Sequence, residues 1–203
     1  MKVIIALLPA TLLFVQCSAP VTTEENAAAP KQIAETDSTD YFPVTAYLQA
    51  QMAELDSMPV TILQVKGTGR NTDSSWISMK ELRPQLQPFT EDTIDKRNMI
   101  RLFKENRFND QSTESVTLTY LPAVNPLPGE VSLRRWDVYV QPDNGKVKMI
   151  YLNRVVTVDN DTLTQQMIWK TGQWAKIATT SFGGKIPPAI QKEIKWIWGN
   201  DTQ

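Results

Sequence analysis

From position 41 onward the hydrophobic residues keep two periods, and the switches between them outline the elements. Val44, Tyr47, Leu48, Met52 and Leu55 recur at helical spacing, with Asp40 placed to cap and Pro43 in the first turn, which predicts a helix ending near Met58-Pro59. Over 60–66 the period falls to two, with Val60, Ile62 and Gln64 facing one way and Thr61, Leu63 and Val65 the other. Residues 67–74 carry turn chemistry and 75–79 form a short return strand, so a hairpin follows the helix. A second helix is predicted over 91–105. Thr90 can cap it, Glu91 and Asp92 suit the positive end of a helix dipole, and Ile94, Met99, Leu102 and Phe103 share one face. Polar residues 106–114 lead into an alternating strand at 115–121, and the proline-rich 122–129 reads as a loop.

Period two then dominates. Strand-like segments at 134–141, 147–158, 162–170 and 174–180 are separated by Asp143-Asn144-Gly145, Asp159-Asn160-Asp161 and Thr171-Gly172-Gln173. Asn-Gly fits a tight hairpin because both residues tolerate positive φ, so these strands should pair antiparallel as a four-stranded meander. Trp136, Val138, Val140, Met149, Tyr151, Leu163, Met167 and Trp169 are expected to line one face of it. Ile194, Trp196 and Trp198 alternate in the same way after Pro187-Pro188 and predict a last strand. The expected fold class is α+β, an antiparallel meander packed against one or two helices in a single domain over 41–198, followed by a tail at 199–203.

The first 40 residues follow neither period. Lys2 precedes an apolar run from Val3 to Val15 that is too short to span a bilayer, and the polar stretch after it has no basic stop-transfer cluster, so residues 1–16 read as an export signal. Leu13-Phe14-Val15-Gln16-Cys17 resembles the lipobox of bacterial lipoproteins, which implies that Cys17 is acylated and becomes the first residue of the mature chain. Phe14 and Gln16 depart from the residues usual at their positions. Residues 17–40 are rich in Ala, Thr, Glu, Pro and Ser and too poor in large apolar side chains to offset the entropy of ordering, so a flexible tether is expected. About 23 such residues reach roughly 25–30 Å. Glu24 and Glu25 resemble the acidic signals that direct some Bacteroidota lipoproteins to the cell surface.

Tyr41-Phe42-Pro43-Val44 with Tyr47-Leu48, then Leu55-Asp56-Ser57-Met58-Pro59, Asp161-Thr162-Leu163 and Trp169-Lys170-Thr171-Gly172 before a Lys-Trp strand resemble a family of uncharacterised Bacteroidota lipoproteins. The resemblance covers most of 41–198. It implies an outer-membrane lipoprotein facing the periplasm or the cell surface, and it carries no activity, because the shared motifs are helix ends and hairpins.

Composition narrows the chemistry. Hydrophobic residues make up 41% of the 203 and charged residues 21%, ordinary usage for a chain that buries a core. Without residues 1–16 the chain carries 20 basic against 22 acidic residues, scattered singly, so no nucleic-acid partner is expected. There is no His and Cys17 is the sole Cys, which leaves out Ser-His-Asp and Cys-His catalysis and His/Cys zinc sites. No cofactor or metal is expected. Asp159-Asn160-Asp161-Thr162 has oxygen ligands in alternation but lacks the Gly and the later Glu of a calcium loop, so a hairpin turn is the expected reading. Glu91, Asp92 and Asp95 are accounted for by a helix start.

Two residue sets point outward. Exposed Trp faces bind sugars and proteins, and Trp174, Trp196 and Trp198 are the candidates for such a surface, with Trp174 beside a turn the most exposed. Asp followed by Ser or Thr and then an aliphatic residue or Thr resembles the Bacteroidota O-glycosylation acceptor, which makes Ser38, Ser57, Thr93 and Thr162 candidate sites. The functional expectation is a membrane-anchored, non-enzymatic binding or assembly module that presents a sheet face or loop to an envelope protein or glycan. The alternatives are a carboxylate-based envelope hydrolase or transferase, which needs two acids in one pocket, and an inhibitor of a secreted enzyme using loop 122–129.

Overall fold

The computed structural model describes residues 41–94, 99, 101–125, 127–129, 131–158, 161–182 and 189–198, the side chain of Trp198 aside. All the described residues belong to one compact unit.

Helix α1 spans Val44–Ser57 and buries Val44, Leu48 and Leu55, the face that the spacing predicts. Pro43 occupies its N-cap without a side-chain cap, and the Tyr47 N–H donates to the Pro43 carbonyl at 3.0 Å. Asp40, the expected cap, lies outside the described residues. Met58 is extended at the helix end, as the steric demand of the following Pro59 requires. Strands β1 (Val60–Thr68) and β2 (Asn71–Ile77) form the expected hairpin, with its turn two residues long.

Two expectations fail between 78 and 105. Met79 does not end a strand; it opens helix α2 (Met79–Leu86), which a capping box initiates. The Ser78 backbone N–H donates to Glu81 Oε2 at 2.8 Å while the Glu81 N–H donates to Ser78 Oγ at 3.4 Å. Leu82 and Leu86 anchor its apolar side despite Pro84 in its interior, and a 3-10 turn, Gln87–Phe89, delivers Phe89 into the core. Nor does a helix run over 91–105. Residues 91–94 are not helical and 103–105 belong to strand β3 (Phe103–Asp110), whereas Met99 between them is helical.

Tertiary bonds hold the non-helical start of that segment. Arg154, whose side chain is 6% exposed, pairs with Glu91 and lies 3.8 Å from Asp92, and its Nε donates to Gln165 Oε1 at 2.7 Å. The Ser132 hydroxyl sits 2.8 and 2.9 Å from the two Asp92 carboxylate oxygens. Thr45 Oγ1 accepts the Ile94 N–H at 2.7 Å and donates to the Asp92 carbonyl at 3.1 Å, so α1 fixes this segment from the other side. A buried guanidinium without partners would cost several kcal/mol, and these two acids supply them.

The remaining strands are β4 (Ser115–Pro122), β5 (Leu133–Val140), β6 (Val147–Val158), β7 (Asp161–Lys170), β8 (Trp174–Ser181) and β9 (Ala189–Trp198). All nine strands form one antiparallel sheet in the order β2-β1-β9-β8-β7-β6-β5-β4-β3, so β3 to β9 run as a continuous meander and the last strand pairs with the first. The domain is therefore more β-dominated than the expected α+β balance, with two short helices among the described residues.

A bulge sets which residues face inward. Tyr139 pairs with Met149 but Val140 with Val147, so β6 holds one extra residue there. The shift puts Trp136 opposite Leu152 and Val138 opposite Ile150, whereas Met149 and Tyr151, expected beside Trp136, fall on the other face. The inner face is continuous from Tyr120 and Trp136 through Ile150, Met167 and Trp169 to Ile177, Ile194 and Trp196, and it shares one core with Val44, Leu48, Leu82, Leu86 and Phe89. Tyr120 stacks on Trp136 with ring centres 4.6 Å apart and 10° between planes, and Tyr41 and Phe103 close around the same indole. Phe89 meets Trp169 edge-on at 5.5 Å, and Trp169 meets Trp196 at 5.1 Å. Each such pair adds about 0.5–1.5 kcal/mol to the burial of its rings.

Candidate interaction face

Successive strand residues point to opposite sides, so the register that fills the core also fixes what the outer face carries. One row crosses the whole sheet: Trp76, Leu63, Lys195, Trp174, Lys170, Met149, Tyr139, Thr117 and Phe108, each paired with the next on the neighbouring strand. The adjacent row runs through Val65, Glu193, Lys176, Ile168, Tyr151, Asp137, Thr119 and Asn106. At about 4.8 Å per strand, Trp174 lies roughly 14 Å from Trp76 on one side and roughly 14 Å from Tyr139 on the other. The result is a ladder of aromatic and lysine side chains.

Its members are open to solvent in different degrees. Trp76 is 62% exposed and Phe108 45%, while Trp174, Met149, Tyr139, Tyr151, Ile168 and Leu63 are half-buried. Trp76 and Phe108, at the two ends of the row, are the exposed apolar members, and the rings and aliphatic side chains between them keep part of their surface in solvent.

The charges on this face are largely positive. Asp137 is buried, and Arg135 holds it through Nε, at 3.1 and 3.0 Å from the two oxygens, and through a second nitrogen at 2.9 Å. That bond pushes the Arg135 guanidinium above its ordinary value. Lys195 pairs with Glu193 at 3.2 Å. Among the described residues no carboxylate lies within ion-pair distance of Lys104, Lys170 or Lys176. Burial, followed by the Asp137 charge, raises the Tyr139 phenol, which keeps it neutral as a stacking or hydrogen-bonding group. Thr117 and Thr119 are buried between these neighbours, and their hydroxyls have no hydrogen-bond partner.

The structure divides the sequence candidates. Trp174 stands on the outer face, but Trp196 is 4% exposed and packs on Trp169 in the core, so it does not belong to a surface. Its strand alternation with Ile194 marks the inner side. Trp198 pairs with Val60 at the end of β9, and its side chain is outside the described residues. Trp76, the most exposed Trp among the described residues, was not a candidate. Its signal was local: it is the single large apolar residue of Asn71-Thr72-Asp73-Ser74-Ser75-Trp76, a polar edge strand in which Ile77 takes the opposite face.

Ser57, Thr93 and Thr162 are all exposed, and the Ser57 hydroxyl donates to the Glu54 carbonyl at 2.8 Å. Ser38 and Cys17 lie outside the described residues, as do Asp95 and the Asp159-Asn160 part of the calcium-like turn. Among the described residues no three His, Cys, Asp or Glu side chains gather closely enough to hold a metal ion, and no helix is long and apolar enough to cross a membrane. Glu91 and Asp92 do come together, but on Arg154 rather than around an open pocket. Comparison with known proteins yields no match to a family model, to a curated protein or to a solved structure.

Proposed function

We propose that this chain is a non-enzymatic binding lipoprotein of a bacterial envelope, anchored through acylated Cys17 and presenting its outer sheet face to an envelope protein or glycan. The observation that carries the reading is the Trp76-to-Phe108 row, which sets Trp76, Trp174, Tyr139 and Phe108 together with Lys195 and Lys170 on the sheet face opposite the core. Aromatic and cationic side chains on one face supply most of the affinity in typical interfaces, the rings through apolar area and the cations through steering. Lipidation, the tether over 17–40 and an outer-membrane address come from the sequence alone. Within this reading the helices act as the inner layer of an α+β domain, stiffening the sheet and leaving its other face free. Ser38, Ser57, Thr93 and Thr162 are the positions at which glycans would be attached.

The test joins the anchor to the face. In a Bacteroidota host the mature chain should begin at an acylated Cys17 by intact mass and leave the membrane fraction on Cys17→Ala. A photo-crosslinking residue at Trp76 or Phe108 should form a discrete adduct that one at Ala53, exposed on α1, does not. A soluble unacylated chain would defeat the anchor; equal adducts from Ala53 would defeat the face.

A further inference from the structure

At the sheet end where the β5–β6 and β7–β8 turns lie, beside α1, a groove of about 840 Å³ is bounded by Phe42, Tyr47, Gln51 and Glu54 on one side and by turn residues 141–148 and 170–173 on the other. Both turns depend on glycine, because Gly145 and Gly172 hold φ of 68° and 70°, where other residues are strained. Lys146, Lys148 and Lys170 line the groove against a single carboxylate, Glu54, in a chain whose net charge is −1. Lys148 Nζ donates to the Thr113 carbonyl at 2.7 Å, and among the described residues no carboxylate pairs with Lys146. Phe42 and Tyr47 stand 5.7 Å apart at 57°, and the Tyr47 hydroxyl is fixed 2.9 Å from Thr171 Oγ1. Burial raises the Tyr47 phenol, so it stays neutral.

A second observation lies beneath. A cavity of about 10 Å³, room for about one water, shares Gln51, Glu54 and Gly172 with the groove and is lined by Trp169 and Trp196. Both indole N–H groups are buried without an acceptor. Unused buried donors are uncommon and costly, although the Trp136 indole outside this lining is unpaired as well.

We propose that this groove, which shares Lys170 with the outer row, is a binding site for an acidic saccharide. The cation excess selects a carboxylate or other anion. Tilted aromatic rings offer apolar faces to sugar C–H groups, and the amides of Gln51, Gln141 and Gln173 can donate to and accept from hydroxyls. The opening is too large for one inorganic ion.

The test is calorimetric titration of the purified full-length protein with trigalacturonic acid, its fully methyl-esterified form and inorganic phosphate. The acid should bind at least about tenfold more tightly than the neutral ester or phosphate, and more weakly as salt rises. K146Q/K148Q should lower the acid's affinity by about tenfold and remove its advantage over the ester. Lys146 is exposed, so Lys146→Gln alone keeps the test if thermal melting shows that the double variant does not fold. Absence of binding, equal affinity for acid and ester, phosphate binding as tight as the acid's, or no effect of the lysine changes in folded protein would each overturn the proposal.

Discussion

The two faces of the sheet are built from the same strands and hold the same kinds of side chain, yet those side chains do different things. On the inner face Trp136, Trp169 and Trp196 are 0%, 0% and 4% exposed, locked against Tyr120, Phe89 and one another, with α1 and α2 contributing to the same core. On the outer face Trp76 is 62% exposed and Trp174 half-buried, and their cross-strand neighbours are Leu63 and Lys195 rather than further rings. Residue type does not separate the two sets. Strand parity does, and parity is reset by one extra residue in β6 and by another in β5 between Leu133 and Arg135. The polar groups follow the same division: Arg154 on the inner side is enclosed by acids, whereas Arg135 on the outer side is half in solvent and reaches down to a buried Asp137.

The comparison can be broken most directly by truncating one Trp on each face. Trp136→Ala should cost about 3–5 kcal/mol, from lost burial and the cavity left under Tyr120, and lower the melting temperature by roughly 10 °C or more. Arg154→Ala comes next, at about 3 kcal/mol by denaturant titration, because Asp92 would remain partly buried without its cation; a loss below 1 kcal/mol would show that water already satisfies the acids.

Alkali should sharpen the contrast. Burial, then the Glu105 charge, pushes the Tyr41 phenol up to about 12 in the folded chain, and Tyr120 is raised as well, chiefly by burial. Below pH of about 10, the unfolded value, both states hold the proton and stability is complete. As pH rises from about 10 to 12 the unfolded state ionises first, so the melting temperature should fall across that window. Tyr41→Phe should make the fall shallower. A melting temperature that stays flat through pH 12 would remove Tyr41 from the core account. The smallest expected effect is on the outer side, where Trp76→Ala should change stability by less than about 0.5 kcal/mol while weakening crosslinking at Phe108. A loss like that of Trp136→Ala would mean that the outer row is structural.

Much of the architecture was legible along the chain. Asn144-Gly145 and Gly172 mark hairpin turns that the structure contains, and the period-two segments at 147–158 and 174–180 match β6 and β8 closely. Helix α2 was legible too, because Ser78-Met79-Lys80-Glu81 is a capping box, but Pro84 argues against a helix until Leu82 and Leu86 are seen to be buried. Residues 91–105 were legible only in part, since Met99 is helical but 91–94 and 103–105 are not. Acids, a cap and four spaced apolar residues all fit a helix locally, and nothing near them in sequence reveals Arg154 or the β4 edge that Phe103 joins. The candidate face was half legible: Trp174 beside its turn was, whereas Trp76 was masked by the polar strand around it and Trp196 was misplaced until its partner Trp169 was known.

What the sequence by itself determined is local and short-range: the α1 face, the turns, the strand period and the absence of His. Those features depend on the spacing of neighbours or on composition, which a single chain displays. Only the tertiary structure decided the rest, because it turns on partners far apart in sequence. Pairing β9 with β1 joins the ends of the domain, the bulge in β6 chooses between two faces that are equivalent in pattern, and α1 with the distant turns at 141–148 and 170–173 encloses a groove that no stretch of sequence contains.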